Sequence, residues 1–314
     1  MRILFMGTPD FSVPTLEVLI ESNHEVVGVV SQPDRPKGRG KQLQPTPVKE
    51  VALKHGIPVY QPARVREEGF DDLIKVLNID LAIVIAFGQI LPQSFLDIPK
   101  YGCINIHASL LPNYRGAGPI QRSIINGDAV TGVTTMMMDA GMDTGDILLK
   151  EELVIAADDT GGSLFEKLSL IGGPLLLKTI DQLEAGTLER IPQDNDLATY
   201  APPLDKQLGN IDWKQTAVAI ESLIRGLNPW PSAYSYINGK MIKMWEADIV
   251  EGLEGSKPGR IIEIDKAGFV VACGKGALHM NQIQLQGKKR MAAGDFLRGY
   301  NLEEGMMLSQ VPND

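Results

Sequence analysis

Along the first half of the chain, short apolar runs recur at intervals: "RILFM" (2–6), "EVVGVVS" (25–31), "DLAIVIAF" (80–87), "GCINIH" (102–107) and "GVTTMMM" (132–138). Each has the length of a strand. Most are apolar on both faces instead of alternating, as strands buried in a parallel sheet are. Between them, residues 10–22, 45–55, 66–77 and 118–127 carry helical spacing. Residues 160–186 predict a longer helix capped near Thr160 or Ser163. This βαβ rhythm predicts an α/β fold with a Rossmann-like, doubly wound, mostly parallel sheet, in which ligands bind beyond the carboxyl ends of the strands. The run 132–138 is expected to be a further parallel member.

The pattern changes after "IPQDNDLATYAPPLDKQLGN" (191–210), where prolines, turn formers and charges mix as in a linker. Beyond it come shorter β-like runs at 232–237, 240–250, 259–264, 268–274 and 277–285, separated by turn signals such as Asn238-Gly239. Five short strands in about a hundred residues predict a small OB-like β-barrel. The expected organisation is a catalytic domain over 1–190, a linker over 191–207 and a barrel over 208–314. A length of 314 residues is enough for two cores.

Composition narrows the class. Hydrophobic residues make up 44% and charged residues 22%, ordinary globular values, and no apolar run approaches the ~18–20 residues of a membrane span. The opening "MRILFMGTPDF" breaks its apolar stretch at Gly7-Thr8-Pro9 and is unlike an export signal. Cys103 and Cys273 are the two cysteines, with no CxxC or zinc spacing, so a reduced, cytoplasmic setting without metal is expected. The net charge of -9 argues against indiscriminate binding to nucleic acid. Its distribution says more. Residues 208–314 are balanced at 12 basic and 12 acidic, so the acidic excess lies in 1–207. Within that acidic part, residues 34–49 hold five basic residues against Asp34 alone.

Candidate chemistry gathers at two strand ends. Residues two apart on a strand face the same way, so Ile104 and Ile106 can enter the core while Asn105 and His107 share the other face. An amide donor beside an imidazole suits a developing oxyanion and a proton exchanged near neutral pH; a polar strand end satisfied by water or backbone is the plain alternative. Some 36 positions later, "MDAGMDTGDIL" (138–148) places Asp139, Asp143 and Asp146 among glycines. The alternating acids and final glutamate of an EF-hand are missing. Asp143 is expected beside His107, orienting its ring, with Gly141 and Gly145 letting backbone approach a ligand. "MGTPDF" lacks the further glycines of a GxGxxG loop, and no GxxxxGK[ST] exists, so nucleotide-cofactor binding has little support.

"NIHASLLPNYRGAGP" together with "DAGMDTGDI" resembles the formyltransferases that use 10-formyltetrahydrofolate. With "GTPDF", "SQPDRPKGRGKQLQPTPVK", "AFGQILP" and "GLNPWPSAY" in order, the whole chain is similar to the bacterial members that act on methionyl-tRNA. The resemblance implies a Rossmann-like domain followed by an OB-like one, and transfer of a formyl group from 10-formyltetrahydrofolate to the α-amine of initiator methionyl-tRNA. It implies Asn105, His107 and Asp143 as the catalytic trio. It places Ser109, Leu110, Leu111 and Pro112 against the formyl-folate, with Phe87, Gly88, Gln89, Ile90, Leu91, Ala140 and Gly141 lining the pterin pocket.

Given that resemblance, Arg35, Lys37, Arg39 and Lys41 read as an arm that meets the tRNA acceptor end. Lys288, Lys289 and Arg290 read as a second RNA footprint on the barrel; the bland reading of both is a solvated surface. Arg115 reads as a loop anchor more readily than as an RNA contact. No metal and no membrane partner are expected, and a monomer is. The rival readings are a formyl-folate enzyme acting on a glycinamide ribonucleotide or amino sugar, an RNA-binding module with an idle pocket, and a hydrolase releasing formate.

Overall fold

The computed structural model describes residues 1–37, 42–253 and 255–312. Seven strands form the first sheet: β1 (Arg2–Gly7), β2 (Glu25–Val30), β3 (Val59–Tyr60), β4 (Leu81–Ile85), β5 (Cys103–His107), β6 (Val130–Met137) and β7 (Ile147–Val154). Their order is β7-β6-β5-β4-β1-β2-β3. Pairs β1·β2, β1·β4, β2·β3 and β4·β5 are parallel. The chain runs outward from β1 to β3, then returns to β4 on the other side of β1. The crevice at the carboxyl ends of β1 and β4 is therefore the topological switch point.

The apolar runs explain the sheet's depth. All five residues of β4 are buried, as a strand covered on both faces requires. Leu4, Met6, Val27, Val30, Ala82 and Val84 form one core with Phe70, Ile74 and Phe95 of α3 (Phe70–Val76) and α4 (Gln93–Leu96). Helix α6 (Gly161–Ala185) takes the other face, where Gly172 leaves no room for a Cβ beside Thr15 and Ile106. Its start follows the capping signal: Ser163 N–H donates to Thr160 Oγ1 at 3.1 Å, and Thr160 N–H to Ser163 Oγ at 3.0 Å. Helices α1 (Val13–Glu21), α2 (Pro47–Lys54) and α5 (Pro119–Ile125) fall inside the expected windows with shorter ends.

One strand departs from expectation. β6 runs antiparallel to β5, with Ile104 opposite Met137 and His107 opposite Thr134. An apolar run has no direction of its own, so the buried pattern of 132–138 fits either sense. The consequence is local: β6 ends level with Ile104, and the loop after it must double back to reach His107.

The chain divides into two compact units. The first is Met1–Gly116, Thr131–Val154 and Phe165–Ala201; the second is Ala117–Val130, Ile155–Leu164 and Pro202–Asp314. Residues 117–130 and 155–164, expected in the first domain, thus cluster with the C-terminal part, where α5 packs on α7 (Ala217–Gly226). Residues 191–201, expected as linker, belong to the first unit. In the second unit, β8 (Ala233–Ile237), β9 (Lys240–Val250), β10 (Ile261–Ile264), β11 (Phe269–Ala272) and β12 (Ala277–Leu285) form an antiparallel sheet ordered β8-β9-β12-β11-β10. The short strand β13 (Met291–Ala292) pairs with β12, and helix α8 (Ala293–Leu297) follows it. The segment Met306–Ser309 closes the sheet into a barrel: Ser309 pairs with Tyr236 of β8, and Met306 O accepts from Ile261 N–H of β10. Helix α7 was not legible among the β-like runs. No helix among the described residues is long and apolar enough to cross a membrane.

Ile83 sits at the centre of the first sheet, fully buried and paired with Phe5 and Ile104. Ile83→Ala is expected to destabilise the first unit by about 2–5 kcal/mol, read from urea unfolding.

Candidate active site

Strand β5 presents its side chains as period two demands. Ile104 and Ile106 are buried in the core, and Asn105 and His107 share the opposite face. His107 is 7% exposed, and its Nε2 lies 2.9 Å from the carbonyl of Tyr114. A carbonyl only accepts, so Nε2 carries the hydrogen of the neutral ring and Nδ1 is left without one. Nδ1 faces Asp143, with Oδ1 at 3.7 Å. That is too long for a hydrogen bond and close enough for an ion pair once the ring is protonated. Oδ2 of the same carboxylate accepts from Gly116 N–H at 2.8 Å. The Asn105 carboxamide is partly exposed and makes no hydrogen bond among the described residues, so both its N–H groups are uncommitted.

The loop behind His107 is held at several points. Thr134 Oγ1 donates to Ser109 O at 2.6 Å and accepts from Leu111 N–H at 3.1 Å; Ser109 Oγ donates to Asn113 O at 2.6 Å. The Leu111–Pro112 peptide is cis. Tyr114 takes a left-handed backbone (φ 59°), and its N–H donates to Thr199 Oγ1 at 2.8 Å. Arg115 is 2% exposed. Its Nε and Nη2 donate to Gln193 Oε1 at 3.1 and 2.9 Å, and Nη1 donates to Asn195 Oδ1 at 2.9 Å. Arg115 therefore anchors the loop and is not available to an RNA.

The loop 138–146 closes on itself before it reaches His107. Asp139 Oδ1 accepts from Gly141 N–H at 3.0 Å and from Thr144 Oγ1 at 2.7 Å. Asp143 adopts φ 54°, an uncommon conformation that aspartate tolerates better than most residues. Gln193 Nε2 donates to the carbonyls of Asp143 (2.8 Å) and Gly145 (2.7 Å). A Cβ at Gly145 would lie 1.8 Å from Met137 O, and one at Gly141 1.9 Å from Thr144 Oγ1. Both glycines are thus required by the loop's own packing.

The residues expected to line a folate pocket differ widely in exposure. Phe87, Leu91, Ser109 and Leu111 are buried, Leu110 and Pro112 are half-buried, and Ala140 and Gly141 are exposed. Gln89 turns its side chain to Val65 N–H and Ala63 O, while Ile90 is 72% exposed beside the left-handed Gly88. A cavity of about 410 Å³ opens at the switch point, between Thr8, Gln32, Arg35 and Pro45 and two members of the expected folate set, Phe87 and Gly88. The trio does not line it. Because Ala86–Gly88 follow β4, the immediate neighbour of β5, the cavity and the trio open on the same sheet edge. Burial pushes the Cys103 thiol up to about 12, so it offers no nucleophile. Among the described residues, the side chains grouped closely enough to share a metal are His24, Asp181 and Glu184; His24 precedes β2, at the opposite sheet edge.

Two family profiles match the sequence: Formyl transferase over residues 1–180, and Formyl transferase, C-terminal domain, over residues 203–301. The chain belongs to the formyl transferase family. It is 57% identical over 305 residues to the Methionyl-tRNA formyltransferase of Agathobacter rectalis, covering 97% of this chain and 98% of that protein. It is 52% identical over 308 residues to the Methionyl-tRNA formyltransferase of Geobacter metallireducens, covering 98% of each. Among solved structures it resembles the sugar 3N-formyl transferase WlaRD, crystallised in the presence of dTDP and 5-N-formyl-THF. The TM-score is 0.67 and the identity 19%, over 92% of this chain and 99% of that one. HypX from Aquifex aeolicus, in complex with tetrahydrofolic acid, matches at TM-score 0.61 and 18% identity, over 98% of this chain and 50% of that one. At such identities the likeness is one of fold.

In this formyl transferase, within the basic segment 34–49, Arg35–Lys37 pairs antiparallel with Gln42–Gln44 in a short ribbon, and Lys49 lies in α2. Arg39 and Lys41 lie outside the described residues. Lys49 turns inward: its Nζ is 2.7 Å from both Asp34 Oδ2 and Gln61 Oε1, and Gln61 Nε2 donates to Asp34 Oδ1 at 2.7 Å. These bonds, Gln61 first and then Lys49, hold the Asp34 carboxyl below its ordinary value. The exposed Arg35 lines the cavity. On the barrel, Lys288, Lys289 and Arg290 are exposed, and Arg290 lies 5.0 Å from the ring centre of Trp245, with Lys243 Nζ at 5.6 Å.

Sequence reasoning missed Trp245 and Lys243, for which their place in the same run "KMIKMWEADIV" was the available signal. It also missed Thr134, Gln193, Asn195 and Thr199, which hold the loops of the trio. Gly145→Ala is expected to displace the turn that carries Asp143 and to lower turnover by about tenfold to a hundredfold, with folding retained by circular dichroism. Unchanged turnover of the folded variant would separate that turn from the chemistry.

Proposed function

We propose that this chain transfers the formyl group of 10-formyltetrahydrofolate to the α-amine of methionyl-initiator tRNA, giving N-formylmethionyl-tRNA. The observation that carries the reading is the uncommitted Asn105 amide on the same strand face as a histidine whose free nitrogen looks at a carboxylate. Full-length similarity to proteins named for this activity supports it.

The chain's own groups supply what the reaction lacks. An α-amine with a reference pKa near 7.7–8.0 is partly neutral at working pH and needs alignment more than a strong base. As its nitrogen bonds to the formyl carbon, negative charge grows on the formyl oxygen, where Asn105 donates a hydrogen bond. His107 Nδ1 accepts the proton leaving the amine, and Asp143 stabilises the imidazolium. The same proton then passes to the folate nitrogen as its bond to the formyl carbon breaks, restoring the neutral ring. Both substrates are consumed in the cycle and the chain is unchanged.

The acceptor's 3′ end enters from the switch-point cavity beneath the ribbon, where Arg35 is free to meet phosphate. Lys37, Arg39 and Lys41 continue that arm. Lys288, Lys289 and the Trp245-stacked Arg290 form a second RNA surface, with the cation and aromatic face that single strands and phosphates favour. The chain acts as a monomer in the cytoplasm.

The deciding assay offers the purified protein 10-formyltetrahydrofolate with methionyl-tRNA, glycinamide ribonucleotide or an amino sugar; formylation of methionyl-tRNA alone is expected, and preference for either small amine would overturn the reading. Asn105→Ala should lose on the order of a hundredfold in kcat, and a loss below tenfold in a folded variant removes its oxyanion role. Lys288→Ala with Lys289→Ala should raise KM for the tRNA, lower its salt dependence by about one to two in log–log slope, and leave KM for the folate unchanged.

A further inference from the structure

Arg115 is a buried cation, and the oxygens its guanidinium donates to belong to the neutral amides of Gln193 and Asn195. Gln193 is the shared member. Its Oε1 accepts two hydrogen bonds from Arg115, and its Nε2 donates two, to Asp143 O and Gly145 O, so the amide's full capacity is engaged. The two loops it joins grip opposite sides of one imidazole. Tyr114, next to Arg115, takes the hydrogen of Nε2; Asp143 faces Nδ1. A circuit therefore closes through His107, Tyr114, Arg115, Gln193 and Asp143. The left-handed backbone at both Tyr114 and Asp143 is of the kind that persists where surrounding contacts over-determine it.

Building on the formyl-transfer reading above, we propose that Gln193 is a positioning residue that sets the separation of Asp143 from His107 by tying the Asp143 turn to the Arg115 loop. It touches neither reacting group. Its two halves do different jobs: the oxygen holds the guanidinium, and the NH2 holds the turn.

Gln193→Glu separates those jobs, because a carboxylate keeps its oxygens for Arg115 and has no N–H for the two carbonyls. The expected result is a folded protein with KM for both substrates within about twofold of the parent and kcat lower by about tenfold to a hundredfold, the scale of a small misplacement of a catalytic group. In an Asp143→Ala background the same change is expected to cost nothing further, since the residue it positions is gone. The titration of His107, followed by NMR of a chain with four histidines, should move in the charge-neutral Gln193→Asn, whereas in Gln193→Glu the added carboxylate shifts it by its charge alone. Gln193→Asn, whose amide is one methylene short of spanning both loops, is measured in the same cycle and carries the test if Gln193→Glu does not fold. An unchanged kcat, or an equal loss with and without Asp143, overturns the proposal. If the parent chain itself fails to formylate charged tRNA, the reading of the reaction falls, and the NMR titration still reports whether Gln193 governs the pair.

Discussion

The bond from His107 Nε2 to the Tyr114 carbonyl decides which ring nitrogen can work. An acceptor that can never donate removes one of the two neutral tautomers, so Nδ1 is left open toward Asp143. Much of the local architecture serves to keep that one carbonyl in place. Tyr114 gives up ordinary backbone angles, its N–H is taken by Thr199, and the next residue's guanidinium is buried among amides. A ring free to flip would exchange its two nitrogens and lose the distinction between the end that is held and the end that faces the carboxylate.

The choice of neutral partners for Arg115 has a physical sense. A carboxylate in the place of Gln193 would hold the guanidinium more strongly, as charge-assisted pairs do. It would also set a second anion against the carbonyls of Asp143 and Gly145, whose oxygens already point there. The amide avoids that repulsion, because it accepts on one side and donates on the other. A buried cation whose hydrogen-bond acceptors are neutral is ordinarily costly, and its three hydrogen bonds offset part of that cost.

What could be read in the residues was whatever depends on local period. The strand windows, including 240–250 and 277–285 in the barrel, match because alternation and apolar runs are properties of consecutive residues. The common face of Asn105 and His107 follows from the same period of two. Strand direction was not legible, since "GVTTMMM" buries equally well in either sense, and Asp143 reaches His107 through a returning loop in place of a shared strand end. The segment 191–201 looked like a linker because it is polar and turn-rich. Those polar side chains are instead partners for Arg115, Asp143 and Tyr114, and a hydrogen-bond partner eighty residues away leaves no periodic trace. The ribbon at 35–37 and 42–44 was hidden by its proline and charges, which strands disfavour.

Counting positive charge by sequence also overstates what faces a ligand. Lys49 is engaged with Asp34 and Gln61, and Arg115 is buried, so two cations near the site have no part in binding a polyanion. What remains on that stretch is Arg35 and the basic residues after it, on a chain that is acidic over residues 1–207. A uniformly basic surface would bind any nucleic acid in any orientation, whereas a small basic arm against an acidic background attracts phosphate at one place and repels it elsewhere. The Lys49–Asp34–Gln61 bonds hold the chain next to Arg35, which lines the cavity at the carboxyl ends of β1 and β4, one strand away from the one that carries Asn105 and His107.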